Sequence, residues 1–68
     1  MKANLLNNIK SKIQYVTDER KRKLINSILN EDKWYLKISF DTFINILLDL
    51  GYKKEDAILI FKTLNMPE

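Results

Sequence analysis

The sequence has no cysteine and no histidine, and only one glycine and one proline. Without cysteine there can be no disulfide, no thiolate zinc ligand and no thiol nucleophile. Without histidine the usual general base near neutral pH is missing, and so is the usual transition-metal ligand. A catalytic site would have to be built from carboxylates, lysines or tyrosines alone. The expectation is therefore a chain that is not an enzyme and uses no cofactor, no metal and no small-molecule substrate. Long hydrophobic runs are also lacking. The longest near-apolar stretch, residues 43–50, falls far short of the roughly 20 residues that span a bilayer. The first nine residues carry one lysine, three asparagines and no apolar run, unlike a secretory leader. No membrane partner is expected, and the cytoplasm is the expected location.

What is present is an ordinary globular composition, with 46% apolar and 31% charged residues. Sixty-eight residues make one domain, spanning 1–68. A chain of this size buries only about 60% of the surface its unfolded form exposes, so self-association would help it. The net charge of +3 is unevenly spread. Residues 1–16 carry +3 and residues 33–40 carry +2, whereas residues 41–50 carry −2.

Hydrophobic spacing predicts an all-α fold, a compact four-helix domain with helices at about 3–16, 18–30, 40–50 and 54–64. In the first, Leu5, Leu6, Ile9, Ile13 and Val16 form one apolar stripe. Thr17 is the natural N-cap of the second, which presents Leu24, Ile25, Ile28 and Leu29. Ser39 caps the third, whose apolar residues Phe40, Phe43, Ile44, Ile46, Leu47, Leu48 and Leu50 wrap more than half its circumference, as suits a central helix. Gly51 stands where a helix ends in the left-handed conformation, with Tyr52 folding back on Leu47. Ala57, Ile58, Ile60, Phe61 and Leu64 form the buried face of the fourth helix, and Pro67 stops it.

Residues 33–38 depart from this pattern. Trp34, Leu36 and Ile38 alternate with Tyr35 and Lys37, a period of two that suits a strand. With no second strand to pair with, the segment is expected to be an extended connector, or a short strand paired with its own copy in a dimer. In either form Trp34, Leu36 and Ile38 face inward, and Lys33, Tyr35 and Lys37 face out together.

Two kinds of partner surface follow. Leu59 and Met66, seven residues apart on the outer face of the fourth helix, offer an apolar seam for a protein partner or a second copy. Trp34 and Tyr35 extend the candidate partner-binding set. For nucleic acid, Lys33, Tyr35 and Lys37 could grip a phosphate backbone around a stacking ring. Arg20 and Arg22 belong to the basic run 20–23, which forms a collar around its helix rather than a stripe. Asp18–Arg22 and Glu19–Lys23 pairs would neutralise half of that run, and the stem of Lys21 would lie over the apolar face. Asp41 and Asp49 are about 12 Å apart along their helix, too far to share one metal ion or a proton.

From Lys37 the chain reads KIS, a helix, then GYKKEDAILIFKTL. This order resembles the strand, helix, glycine turn and helix of ribbon-helix-helix DNA-binding proteins. The resemblance implies a dimer whose paired strands place Lys33, Tyr35 and Lys37 on DNA, with the run Ile58–Phe61 buried between chains. It covers about half the chain. The helix before Gly51 is about one turn shorter than the family's, and two helices precede the strand. The corner Leu50-Gly51-Tyr52 also resembles that of helix-turn-helix and ubiquitin-associated-like domains, and is equally the mark of a generic helix C-cap. The leading expectation is a small non-enzymatic helical protein-interaction or regulatory module, self-associating as a homodimer or binding another protein. A dimeric DNA-binding regulator is the alternative.

Overall fold

Each helix begins and ends where a specific side chain or backbone angle permits it. The structure, a computed structural model, describes residues 2–67. It contains four helices, α1 (Lys2–Ser11), α2 (Glu19–Leu29), α3 (Phe40–Asp49) and α4 (Lys54–Leu64), and two 3-10 turns, Lys12–Tyr15 and Trp34–Leu36. No strand occurs among the described residues, so the all-helical, four-helix expectation holds.

α1 stops short of Val16. Its α-geometry tightens at Ser11 into the turn Lys12–Tyr15, and the Ser11 hydroxyl donates to the Asn8 carbonyl at 2.7 Å. Such hydroxyl-to-backbone bonds compete with helix continuation. Ile9 and Val16 are buried nonetheless, and Leu5, Leu6 and Ile13 pack half-buried beside them.

The cap of α2 is Asp18, not Thr17. Its carboxylate accepts from the backbone N–H groups of Arg20 and Lys21 at 3.0 and 3.2 Å. An ionised acceptor at the positive end of the helix outcompetes a hydroxyl one residue earlier. Asp18 is thus drawn away from Arg22, whose guanidinium instead donates to the Val16 carbonyl at 3.2 Å. Glu19 and Lys23 do pair, at 3.4 Å in solvent. Lys21 reaches Asp49 of α3 at 3.6 Å, so its stem does lean over the fold. Ile25 and Leu29 are buried, but Leu24, expected on the same face, is 63% exposed. It lies about 100° around the helix from Ile25, beyond the arc that the rest of the chain covers.

The segment 33–38 is not extended. Lys33 adopts the left-handed conformation at φ 51°, and a 3-10 turn follows. Leu36 N–H donates to the Lys33 carbonyl at 2.9 Å and Lys37 N–H to the Trp34 carbonyl at 3.0 Å. These bonds satisfy backbone groups that a lone strand would leave open. The expected alternation fails with them. Trp34 is 3% exposed and Ile38 is half-buried, whereas Leu36 is 56% exposed. Magnitudes explain the choice. Burying a tryptophan gains roughly 4–6 kcal/mol by area. A single left-handed non-glycine residue costs only about 1–2 kcal/mol.

α3 is the central helix. Ser39 accepts from the Thr42 N–H at 3.2 Å, and Phe43, Ile44, Ile46, Leu47 and the following Leu50 are all buried. At its C-terminus Gly51, at φ 102°, closes a Schellman motif. Tyr52 N–H donates to the Leu47 carbonyl and Gly51 N–H to the Leu48 carbonyl, both at 3.0 Å. The short corner returns α4 antiparallel to α3. Five rings then run in contact through the molecule. Tyr35 meets Trp34 edge-on at 5.8 Å, Trp34 stacks on Phe43 at 5.5 Å, Phe43 meets Phe61 at 5.1 Å, and Phe61 meets Phe40 at 4.9 Å. Tyr52 ties the far corner to α1, because its hydroxyl donates to Asn8 Oδ1 at 2.6 Å while the Lys12 ammonium lies 5.1 Å from its ring centre.

Two outcomes follow. Lys33→Gly should raise stability by about 0.5–1 kcal/mol, because glycine removes the left-handed penalty at some entropic cost, while Lys33→Ala stays near neutral. Urea titration of both variants checks this, and a Lys33→Gly protein weaker than Lys33→Ala would contradict it. The second outcome concerns alkali. Burial raises the Tyr52 phenol above its ordinary value, so the fold favours the neutral form. The unfolded chain therefore releases this proton first, and Tyr52's contribution is intact at neutral pH and lost above about pH 10. Tyr52→Phe should cost about 1 kcal/mol or less at pH 7 and flatten the alkaline fall in denaturation midpoint relative to wild type.

Candidate interaction surface

The residues expected to meet a partner separate into three environments. Trp34 is core: it is stacked on Phe43 and only 3% exposed, so it offers a partner almost no surface. This corrects its assignment to a surface. Tyr35, the next residue, is half-buried and emerges beside Met66, which is 59% exposed. Leu59, on α4, is 64% exposed and is not among the residues that line the hollow holding Met66.

The hollow around Met66 has a volume of about 390 Å³. Leu64, fully buried, forms part of its base, and Tyr35, Leu36, Met66 and Pro67 form its apolar walls. Lys2 and Lys33 contribute the charges, and no carboxylate lines it among the described residues. Local chemistry builds this arrangement. Asn65 closes α4, with its backbone N–H and its side-chain amide both donating to the Phe61 carbonyl, at 3.2 and 2.8 Å. Met66 N–H donates to the Thr63 carbonyl at 3.3 Å, and Lys2 Nζ donates to the Met66 carbonyl at 2.6 Å. The segment after α4 is thereby curled against the turn that carries Tyr35 and Leu36. Leu36 is the residue that the alternating pattern hid, since that pattern pointed it inward.

Lys33 and Tyr35 form a ridge between this hollow and a neighbouring one of about 470 Å³ between α1 and residues 29–35. In the second hollow Lys10 and Lys33 are offset by Glu31 and Asp32, so the basic character is confined to the first.

The cations expected to grip nucleic acid do not share a face in the expected way. Arg20 and Arg22 lie in the first turn of α2, while Lys33 and Lys37 follow its other end. Seven helical residues, about 10 Å of helix, lie between Arg22 and the end of α2. Arg22 is held on the Val16 carbonyl. Around a 3-10 turn successive side chains fan by about 120°, so Lys33, Tyr35 and Lys37 do not form the outward row of a strand. The paired ribbon that the ribbon-helix-helix resemblance implies has no counterpart among the described residues.

Comparison with protein-family models, with curated proteins and with solved structures finds no match to this chain. No helix of the described residues is long and apolar enough to cross a membrane.

Trp34 is the sole tryptophan, which makes its burial directly measurable. Its emission should be blue-shifted and resist quenching by iodide and acrylamide until the protein is denatured. Quenching as efficient in the folded as in the denatured chain would place the ring at the surface instead.

Proposed function

We propose that this chain is a non-enzymatic protein-interaction module, and that its hollow at Met66 receives an apolar side chain flanked by carboxylates on a partner protein. One observation carries the reading. Leu36 and Met66, from distant parts of the sequence, converge as exposed apolar side chains in a depression whose only charges among the described residues are two lysines. Methionine and tyrosine are favoured at protein interfaces, where an adaptable thioether and a rigid amphipathic ring bury area at low entropic cost. A hollow of about 390 Å³ suits one or two inserted side chains. Lys2 and Lys33 then steer acidic flanks by long-range attraction, and salt weakens that steering. A phosphate backbone would engage the lysines but leave Leu36 and Met66 without a partner, which favours protein over nucleic acid.

Selection from a displayed library of random peptides tests this. Peptides enriched on the wild-type protein should carry Asp or Glu around Leu, Met or Phe. A selected peptide should bind at least about tenfold more weakly to Met66→Glu, and several-fold more weakly to Lys33→Glu. Enrichment of basic peptides, or peptides indifferent to both substitutions, would overturn the site. So would duplex DNA binding that falls on combining Lys33→Ala with Lys37→Ala in a protein that selects no peptide; that result would favour the nucleic-acid reading.

A further inference from the structure

We propose that the hollow between α1 and residues 29–35 is the second half of a peptide groove. The partner segment anchored at Met66 continues over the ridge of Lys33 and Tyr35 and lies extended along α1. There one of its backbone carbonyls accepts from the indole N–H of Trp34. This rests on the reading of the Met66 hollow as a protein-binding site.

The indole N–H carries the argument. Trp34 is only 3% exposed, and its N–H donates to no acceptor among the described residues. A buried indole ordinarily has a partner for this group. Among the described residues, no fully enclosed side-chain nitrogen or oxygen lacks a partner, so this nitrogen lies within the small part of the residue that reaches the surface. Trp34 lines the hollow of about 470 Å³ between α1 and residues 29–35, and lines neither the hollow at Met66 nor the one beside Phe40. The structure therefore opens the N–H into that hollow, with the rest of the ring held in the core.

The walls suit a peptide backbone. Ala3, Leu6, Asn7 and Lys10 recur at helical spacing on one face of α1, and Lys2 of the same helix borders the Met66 hollow. α1 thus flanks both hollows. Lys2 to Lys10 is about 12 Å along the axis, the reach of about four extended residues. Each residue of an extended segment brings an unpaired carbonyl and, except proline, an unpaired N–H. Asn7 and Asn30 line the hollow with side-chain amides that make no hydrogen bond among the described residues, and such an amide both donates and accepts. Two cations, Lys10 and Lys33, are matched by two anions, Glu31 and Asp32, so this half does not select a charge. The Met66 half selects charge and an apolar anchor, and this half holds the chain that follows.

The sole tryptophan gives a single indole cross-peak in a two-dimensional amide NMR spectrum, which reads the contact directly. A peptide selected on the wild-type protein should move that resonance downfield, together with the amides of Ala3, Leu6 and Asn7. Shortening the peptide on one side of its anchor should cancel the indole shift and weaken binding about tenfold, while shortening it on the other side should do neither. The shortened peptide still sits beside Tyr35, which meets Trp34 edge-on, so it reports any shift passed on through that ring. Asn7→Ala combined with Asn30→Ala should weaken the intact peptide several-fold and leave the shortened one unaffected. Both asparagines are exposed, and circular dichroism checks retained folding. A peptide that binds through Met66 and leaves the indole N–H unmoved overturns this inference and leaves the anchor site standing. A peptide that moves the indole N–H with equal affinity in the Met66→Glu protein also overturns it, because the two hollows are then separate sites. A protein that selects no peptide overturns both readings.

Discussion

Trp34 stacked on Phe43 joins the two halves of the chain, and the contacts beyond that pair propagate from it. Phe43 is fully buried on the central helix and touches Phe61 of α4, which in turn touches Phe40. On its other side Trp34 leads to Tyr35 and stands near Leu6 of α1 and Leu29 of α2. Edge-on and offset ring pairs add about 0.5–1.5 kcal/mol each beyond the area they bury. For a chain of 68 residues, whose net stability is only several kcal/mol, such a series is a large share of the whole. The strain at Lys33 is tolerated because it delivers the largest side chain of the molecule to this place.

The same constraint shapes the surface. A core this small cannot enclose every apolar residue the helices carry, and the residues left over are not scattered evenly. Tyr35 and Phe40, the two ends of the ring series, each emerge at a different depression. One is bordered by two lysines, and the other holds one charge of each sign.

Much of the fold is legible in the residues one by one. Ser39 and Gly51 act locally, through a hydroxyl and a missing Cβ, and both do what their types imply. The four helices follow from apolar spacing, which reports a periodic face directly. What is not legible depends on contacts between distant segments. The alternation at 34–38 is consistent with a strand until the cost of unpaired backbone is set against the gain from turning Trp34 inward. Thr17 and Asp18 are both plausible caps, and only their competition for the same N–H groups decides between them. Leu24 belongs to an apolar face in sequence, yet nothing in the fold covers it. At the surface, Tyr35 and Met66 were identifiable individually. Their meeting with Leu36 and Lys2 was not, because residues 2, 36 and 66 are neighbours only after folding.

That last juxtaposition bears on how firmly the hollow is held. Its walls include a side chain from the first turn of α1 and the residues just beyond α4, joined by the bond from Lys2 to the Met66 carbonyl. First turns and post-helical segments open at far lower free energy than a core does, so the hollow shares their fraying equilibrium rather than that of the aromatic series. Part of any ligand's binding energy must go into ordering them. The occupied and empty states would then differ chiefly in hydrogen-exchange protection near Lys2 and Met66, with the interior unchanged. A ligand would register as a loss of local motion, not as a movement of helices.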